Sequence, residues 1–324
     1  MDALSDVLRA AHMTGGVFLD AEFGAPWCVA ANVTPELCMP ALGEAPHLIP
    51  YHYVVEGQLH LRVNGDGQAH ETPSVVVDAG AVVVLPRNDP HLLGSDLARP
   101  PVPMRDVVSV PVSEKFWTLR HGGDGDRTRI ICGFLGSDGP DTNPVLTSLP
   151  PVMTHALGPG AAGEWIRSTL RFAADEVAAR RPGADTVLGK VSELLFVETV
   201  RRYTESLPAD QTGWLAGLRD PHVSRALALM HGDITRPWTV EDLGREGGLS
   251  RSALADRFLR LLGTPPIQYL ARRRMQVAMQ KLRGTAASLA QVADMVGYES
   301  EAAFSRAFKK AIGTAPATWR RANA

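Results

Sequence analysis

The spacing of apolar residues along the chain changes period twice. Residues 1–9 place Leu4, Val7 and Leu8 on one side of a short amphipathic helix. From about residue 17 to residue 133 the apolar runs are short, alternating, and separated by Gly, Pro, Asn and Asp. Runs at 51–55, 58–63, 74–77, 81–85, 107–110 and 128–134 predict the strands of a small barrel or sandwich. Glu56-Gly57 and Asn64-Gly65-Asp66-Gly67 predict tight corners between them. Past residue 160 the period becomes helical. Residues 161–180 carry Trp165, Ile166, Leu170, Phe172, Ala173 and Val177, and Pro182-Gly183 ends that helix. Residues 184–206 carry a stripe from Val187 and Leu188 to Val200 and Tyr203, wide enough to serve both a barrel and a partner helix. Residues 207–213 read as a linker, and 214–218 as a short return before Pro221 opens the next helix.

The last hundred residues repeat one pattern. Phe258, Gly263, Pro266 and Tyr269 recur as Phe308, Gly313, Pro316 and Trp319, at an offset of fifty. Upstream, Leu243, Gly248 and Leu249 match Val292, Gly297 and Tyr298 at forty-nine, so one extra residue lies in the turn of the second copy. Each copy reads as helix, tight turn, helix. In the first, Trp238, Val240 and Leu243 give helical spacing, Gly247-Gly248 breaks it, and Ser250 caps a helix expected to bury Leu254, Phe258 and Leu261 or Leu262. Its open side holds Arg251, Ser252, Ala255 and Asp256, small and polar as a helix in a groove about 12 Å wide requires. In the second, Leu289, Val292, Ala293 and Val296 precede Gly297, and the following helix buries Ala303, Phe304 and Phe308. Its open side holds Glu301, Ala302, Ser305 and Arg306. Between the copies, residues 266–283 form one apolar-striped helix that sets the distance between the two readers.

Residues 297–309, residues 313–316 and their echo in the first copy resemble the DNA-binding domain of the AraC/XylS family of bacterial transcription regulators. The resemblance implies a seven-helix unit over about 221–321. Carried over by position, it implies that Arg251, Ser252, Ala255, Asp256, Glu301, Ala302, Ser305 and Arg306 read bases. The repeat aligns Asp256 with Arg306; an Arg there suits guanine, whereas an Asp accepts from a cytosine amino group or holds a neighbouring Arg. Arg257, Arg260, Arg272, Arg273, Lys309, Lys310 and Arg320 are the candidates for phosphate, each with ordinary solvation as the alternative.

Charge adds an independent sign. From residue 221 onward there are sixteen Lys and Arg against eight Asp and Glu, whereas the preceding residues hold seventeen against twenty-seven. A chain with a formal net charge of only −2 is an acidic part joined to a basic one, which points to a polyanion partner for the basic end. Phosphate contact would supply salt-dependent affinity.

In the strand-rich part, Gly80-x5-Pro86-x4-His91 and Val54-Val55-Glu56-Gly57 resemble cupin motifs. Asn88 stands where Gly is usual and Ser95 where Asn is usual, and a single His52 replaces the His-x-His pair and Glu of the first motif. With Leu4-Ser5-Asp6-Val7-Leu8 and Ala25-Pro26-Trp27, these residues resemble the cupin-type sensor domain of one AraC subfamily. A cupin metal site takes three or four ligands, commonly including a carboxylate. His52 and His91 supply two, so no cofactor is expected, a metal at that pair is the exception to test, and an enzyme is not. The two histidines either pack in the barrel or line an effector pocket. Three cysteines, Cys28, Cys38 and Cys132, argue against a disulfide framework and for a cytoplasmic protein. Cys132 reads as a core residue and Cys38 as an exposed thiol; oxidant sensing would need thiolate character and access.

These readings combine into an α+β chain of two domains. A cupin-like sensor barrel spans 1–140, a helical dimerisation and linker region 141–212, and an AraC-type DNA-binding domain 213–324. The expected partners are double-stranded promoter DNA, a small-molecule or oxidant effector, a second copy of the chain, and RNA polymerase if the protein activates. No apolar run of eighteen and no charged-then-apolar leader occurs, so no membrane partner or export is expected.

Overall fold

The computed structural model describes residues 2–10, 13–34, 47–63, 74–107, 116–137, 139, 143–156, 161–179 and 182–323. They pack as two units, Met1–His12 with Asp138–Ser148 and Thr204–Ala324, and Met13–Ser137 with Leu149–Tyr203. This division differs from boundaries at 140 and 212. The first helix, α1 (Ala3–Ala10), packs with the C-terminal helices, because Ala3, Val7 and Leu8 bury their side chains there. No helix among the described residues is long and apolar enough to cross a membrane.

The strand-rich unit holds β1 (Thr14–Gly24), β2 (Cys28–Ala31), β3 (His47–Glu56), β4 (Gln58–Val63), β5 (Val75–Asp78), β6 (Ala81–Val84), β7 (His91–Gly94), β8 (Val102–Pro103), a helical turn α2 (Met104–Val107), β9 (Phe116–Gly122), β10 (Arg127–Ser137) and β11 (Met153–Ala156). Six strands form one sheet in the order β11-β6-β3-β10-β1-β9, and five form a second in the order β5-β4-β7-β2-β8. Both contribute to one core, with Leu19, Ala21, Val54 and Ile130 from the first and Val29, Leu59, Leu61 and Leu93 from the second. Two sheets closed on a shared core are what the alternating pattern demands. Val107, expected to begin a strand, instead ends α2. The expected corner at 64–67, residues 108–110 and Cys38 lie outside the described residues.

The outer face of the six-stranded sheet is covered by helix α5 (Ala184–Ser206), which follows α4 (Ala161–Ala178). On α5, Ser192 hydrogen-bonds the buried Tyr51 hydroxyl at 2.9 Å. Position 133 is glycine because the Tyr51 ring lies where its Cβ would be. Asn88, where the motif usually has Gly, has φ +57, and its amide donates to the Val33 carbonyl at 2.8 Å. Asn tolerates this left-handed conformation better than most residues with a Cβ, which explains the exchange.

The helical unit contains α3 (Pro144–Ser148), α6 (Trp214–Arg219), α7 (Pro221–Gly232), α8 (Val240–Gly247), α9 (Arg251–Leu262), α10 (Pro266–Gly284), α11 (Leu289–Met295), α12 (Glu301–Ile312) and α13 (Pro316–Ala322). Helices α8 and α9 form the first helix-turn-helix, and α11 and α12 the second. Ser250 and Ser300 cap α9 and α12 through the amides of Ala253 and Ala303. Capping boxes at Thr239 and Ser288 start α8 and α11, and Gly263 and Gly313 end α9 and α12 in the left-handed region. The repeat extends to packing: Phe258 meets Tyr269 edge to face at 5.6 Å, and Phe308 meets Trp319 likewise at 6.1 Å.

Candidate nucleic-acid interface and barrel pocket

Leu254 and Phe258 face inward on α9, so one turn's phase leaves Arg251, Ser252 and Asp256 exposed and Ala255 half-buried. On α12 the inward Phe304 and Phe308 leave Glu301, Ala302 and Arg306 exposed and Ser305 half-buried. The eight residues expected to read bases therefore lie on two equivalent open helix faces.

The basic residues divide differently from the expectation. Arg260, Arg272, Lys309 and Lys310 are exposed. Arg273 is 5% exposed, between Tyr269 and the charge of Asp6 on α1, and cannot meet a phosphate. Arg257 pairs at 3.4 Å with Asp220, whose carboxylate caps α7. Arg320 donates to the Ala287 carbonyl at 2.6 Å and braces the start of α11. Within the domain, then, Arg273 is enclosed and the half-buried guanidiniums of Arg257 and Arg320 already have partners.

In the strand-rich unit, β3 places His52 and β10 places Cys132 directly opposite one another. His91 comes from β7 in the other sheet. His52 Nδ1 lies 2.9 Å from Cys132 Sγ, His52 Nε2 lies 3.1 Å from His91 Nε2, and His91 Nδ1 lies 2.9 Å from the Asp89 carbonyl oxygen. The carbonyl can only accept, so His91 Nδ1 carries the proton. A neutral His91 then accepts at Nε2, His52 donates from Nε2, and Cys132 S–H donates to His52 Nδ1. One proton arrangement satisfies every group with no net charge. Burial favours it on all three residues: it pushes His52 well below the ordinary imidazole range, lowers His91, and raises the Cys132 thiol.

His52 and Cys132 border a cavity of about 30 Å³ otherwise walled by apolar side chains such as Leu19, Phe23, Leu93 and Met104. Such a volume holds about one water, so a larger occupant must displace the wall. The residues do not fit a cupin metal: the two imidazoles point their Nε2 atoms at each other. Among the described residues no group of three or more His, Cys, Asp or Glu is arranged to hold an ion. Cys28 is also buried, and burial raises its thiol.

Two features escaped the sequence reading. The Cys132–His52 contact depends on strand register, for which only the shared inward phase of residues 130, 132 and 134 was a signal. Arg274 on α10 was one Arg in a row of three, yet it donates to four backbone carbonyls.

A family model described as Cupin matches residues 2–205, and one described as Helix-turn-helix domain matches residues 243–322. A putative AraC-like transcription regulator of Streptomyces lividans is 31% identical over 322 residues, covering 99% of this chain and 98% of the relative. The HTH-type transcriptional regulator AlkR of Acinetobacter baylyi is 28% identical, with 99% of each covered. Among solved structures, the DNA-binding domain of AdpA in complex with a target DNA is 29% identical, covering 32% of this chain and 93% of that one, with a TM-score of 0.31.

Proposed function

The chain belongs to the AraC family of DNA-binding transcription regulators, with a cupin domain ahead of the helix-turn-helix domain, and from that premise we propose that a small, uncharged, largely apolar effector in the barrel controls its action at promoters. The observation that carries this reading is the apolar cavity whose polar groups, His52 and Cys132, are neutral and bonded to each other. A charged ligand would lose its hydration there without a counter-charge, whereas an apolar one gains by burial. Burial of Cys28 and Cys132 favours a small-molecule effector over an oxidant.

On the DNA side, α9 and α12 enter successive major-groove segments about 34 Å apart. The open-face residues of both helices read bases, and Arg260, Arg272, Lys309 and Lys310 contact phosphate. A second copy of the chain docks on α4 and α5. Trp165 and Phe172 on α4, and Val187 and Leu194 on α5, are seven residues apart within each pair and large, apolar and exposed. Effector binding acts by its different affinity for two arrangements of the protein. The protein works in the cytoplasm, contacts RNA polymerase where it activates, and performs no turnover.

The test is recovery of genomic fragments bound by the tagged full chain, retested in vitro with and without thiol reductant and metal chelator. Bound fragments should share two submotifs about one helical turn apart, with binding indifferent to reductant and chelator. Failure to enrich any motif, alone or with cell extract as effector source, refutes the promoter reading. A reductant effect refutes the choice of a small molecule over an oxidant.

A further inference from the structure

The two helix-turn-helix motifs are joined by more than the helix between them. Arg274, half-buried near the middle of α10, donates from Nε to the Ile234 carbonyl at 2.9 Å and from Nη2 to those of Thr235 and Arg236 at 3.2 and 3.0 Å. These three residues lie in the segment that leads from α7 into α8, the start of the first motif. From Nη1 the same guanidinium donates to the Gly297 carbonyl at 3.1 Å, in the turn of the second motif. Its charge also lies 5.8 Å from the centre of the Tyr298 ring.

The two segments touch directly as well. Gly297 has φ +75, and a Cβ there would stand 2.6 Å from the Thr235 oxygen and 2.7 Å from its Cα. Backbone lies on backbone, with one guanidinium bonded to both sides. The first motif's turn has a separate support: the His222 ring on α7 meets the Gly247 carbonyl at 2.6 Å. Holding one turn therefore requires only one contact. Arg274's three further bonds tie the second turn to the other motif.

We propose that Arg274 is a positioning residue for DNA recognition, fixing the two reading helices as a single ruler so that the protein demands one spacing between its two submotifs. The need follows from the leverage of the linkage. Residues 285–288 connect α10 to α11 without helical hydrogen bonding. A rotation there of about 15°, at a lever of about 20 Å, would carry the second reader about 5 Å, more than the 3.4 Å rise of one base pair. A planar guanidinium with five donors spans carbonyls on both sides. A Lys ammonium, one point with three donors, does not.

The proposal rests on the reading that both α9 and α12 contact bases, and the experiment separates the two. The probe is a duplex selected from a random-core library by the full chain. It is compared with the same duplex carrying one or two base pairs more or fewer between submotifs, and with either submotif scrambled. Scrambling either submotif should weaken wild-type binding; if scrambling one costs nothing, the double-reader reading fails and the proposal with it. A one-base-pair change should weaken wild type about tenfold or more, as expected when one submotif is misread. Arg274→Ala should shrink that penalty to about threefold or less while its affinity for single-submotif duplexes stays within about twofold of wild type. Arg274→Lys should behave as Arg274→Ala. A folded Arg274→Ala protein that keeps the wild-type penalty overturns the proposal, as does one that weakens equally on every duplex. Should neither variant fold, wild type decides: tolerance of one-base-pair changes within about threefold overturns the ruler, and a steep penalty supports it.

Discussion

Lowering the pH should destabilise the barrel through His52 and His91, and the sign follows from their burial. Both imidazoles are held neutral in the fold, so their folded-state values lie below the ordinary 6.5, with burial the first cause for each. As pH falls below 6.5, the unfolded chain binds two protons that the folded chain does not. Their contribution to stability is complete above that value and declines on acidification until the folded-state values are reached. For a group that stays neutral, the loss at pH 5.5 relative to pH 8 is about 1.4 kcal/mol; His52, held well below the ordinary range, approaches that figure, and His91 adds to it in the same direction. His231 in the helical unit, lowered to about 3 by burial and the nearby Arg273 charge, adds an effect of the same sign there. Urea unfolding at pH 8, 6.5 and 5.5 measures the sum. NMR of protein with ¹⁵N-labelled histidine isolates the barrel pair among the ten histidines. The expected result is that His52 stays neutral from pH 8 to 5.5 as the Nε2–H tautomer, and that His91 is the Nδ1–H tautomer and titrates below 6.5. Titration of either near pH 6.5, or unfolding free energies that do not fall between pH 6.5 and 5.5, would refute the neutral-chain argument.

Four further outcomes follow from single side chains. Arg306→Ala should cost about 1 to 3 kcal/mol in DNA binding and relax preference at one base position, read by selection from a randomised duplex library; equal weakening on all sequences would make Arg306 a phosphate contact. Lys309→Ala should reduce the slope of log affinity against log salt by about one, whereas Arg257→Ala should leave it unchanged and lower unfolding stability by no more than about 1 kcal/mol, because its pairing with Asp220 is partly exposed. Ser192→Ala removes one hydrogen-bond partner of the Tyr51 hydroxyl and should destabilise the strand-rich unit by about 1 kcal/mol in urea unfolding, with no change in the salt slope.

What was legible in the sequence follows from how local each cause is. The helix-turn-helix pair rests on caps, glycines and apolar spacing within a dozen residues. The longer turn of the second copy appears as well, with residues 248–250 between α8 and α9 against 296–300 between α11 and α12. The barrel strands were less distinct. β3 is buried on both faces over most of its length and β7 along all of it, so neither alternates. The roles of Arg257, Arg273 and Arg320 were illegible because a guanidinium's partner is set by packing: Asp220 caps another helix, Asp6 lies on α1, and the Ala287 carbonyl ends a loop.

The barrel's polar chain shows the same limit at the site itself. Period two establishes that His52 shares a face with Val54, and Cys132 with Ile130 and Phe134. Only the antiparallel register, Cys132 opposite His52 and Tyr51 opposite Gly133, makes that face a thiol beside an imidazole. A slip of one residue would turn His52 outward and set Tyr51 against the core, so the register that accommodates Tyr51 over Gly133 also places the polar pair at the cavity. The outer helix contact and the inner pocket are therefore fixed by one alignment of two strands. Substitutions that disturb Tyr51 or Ser192 on the outside should alter effector response even though neither residue lines the cavity.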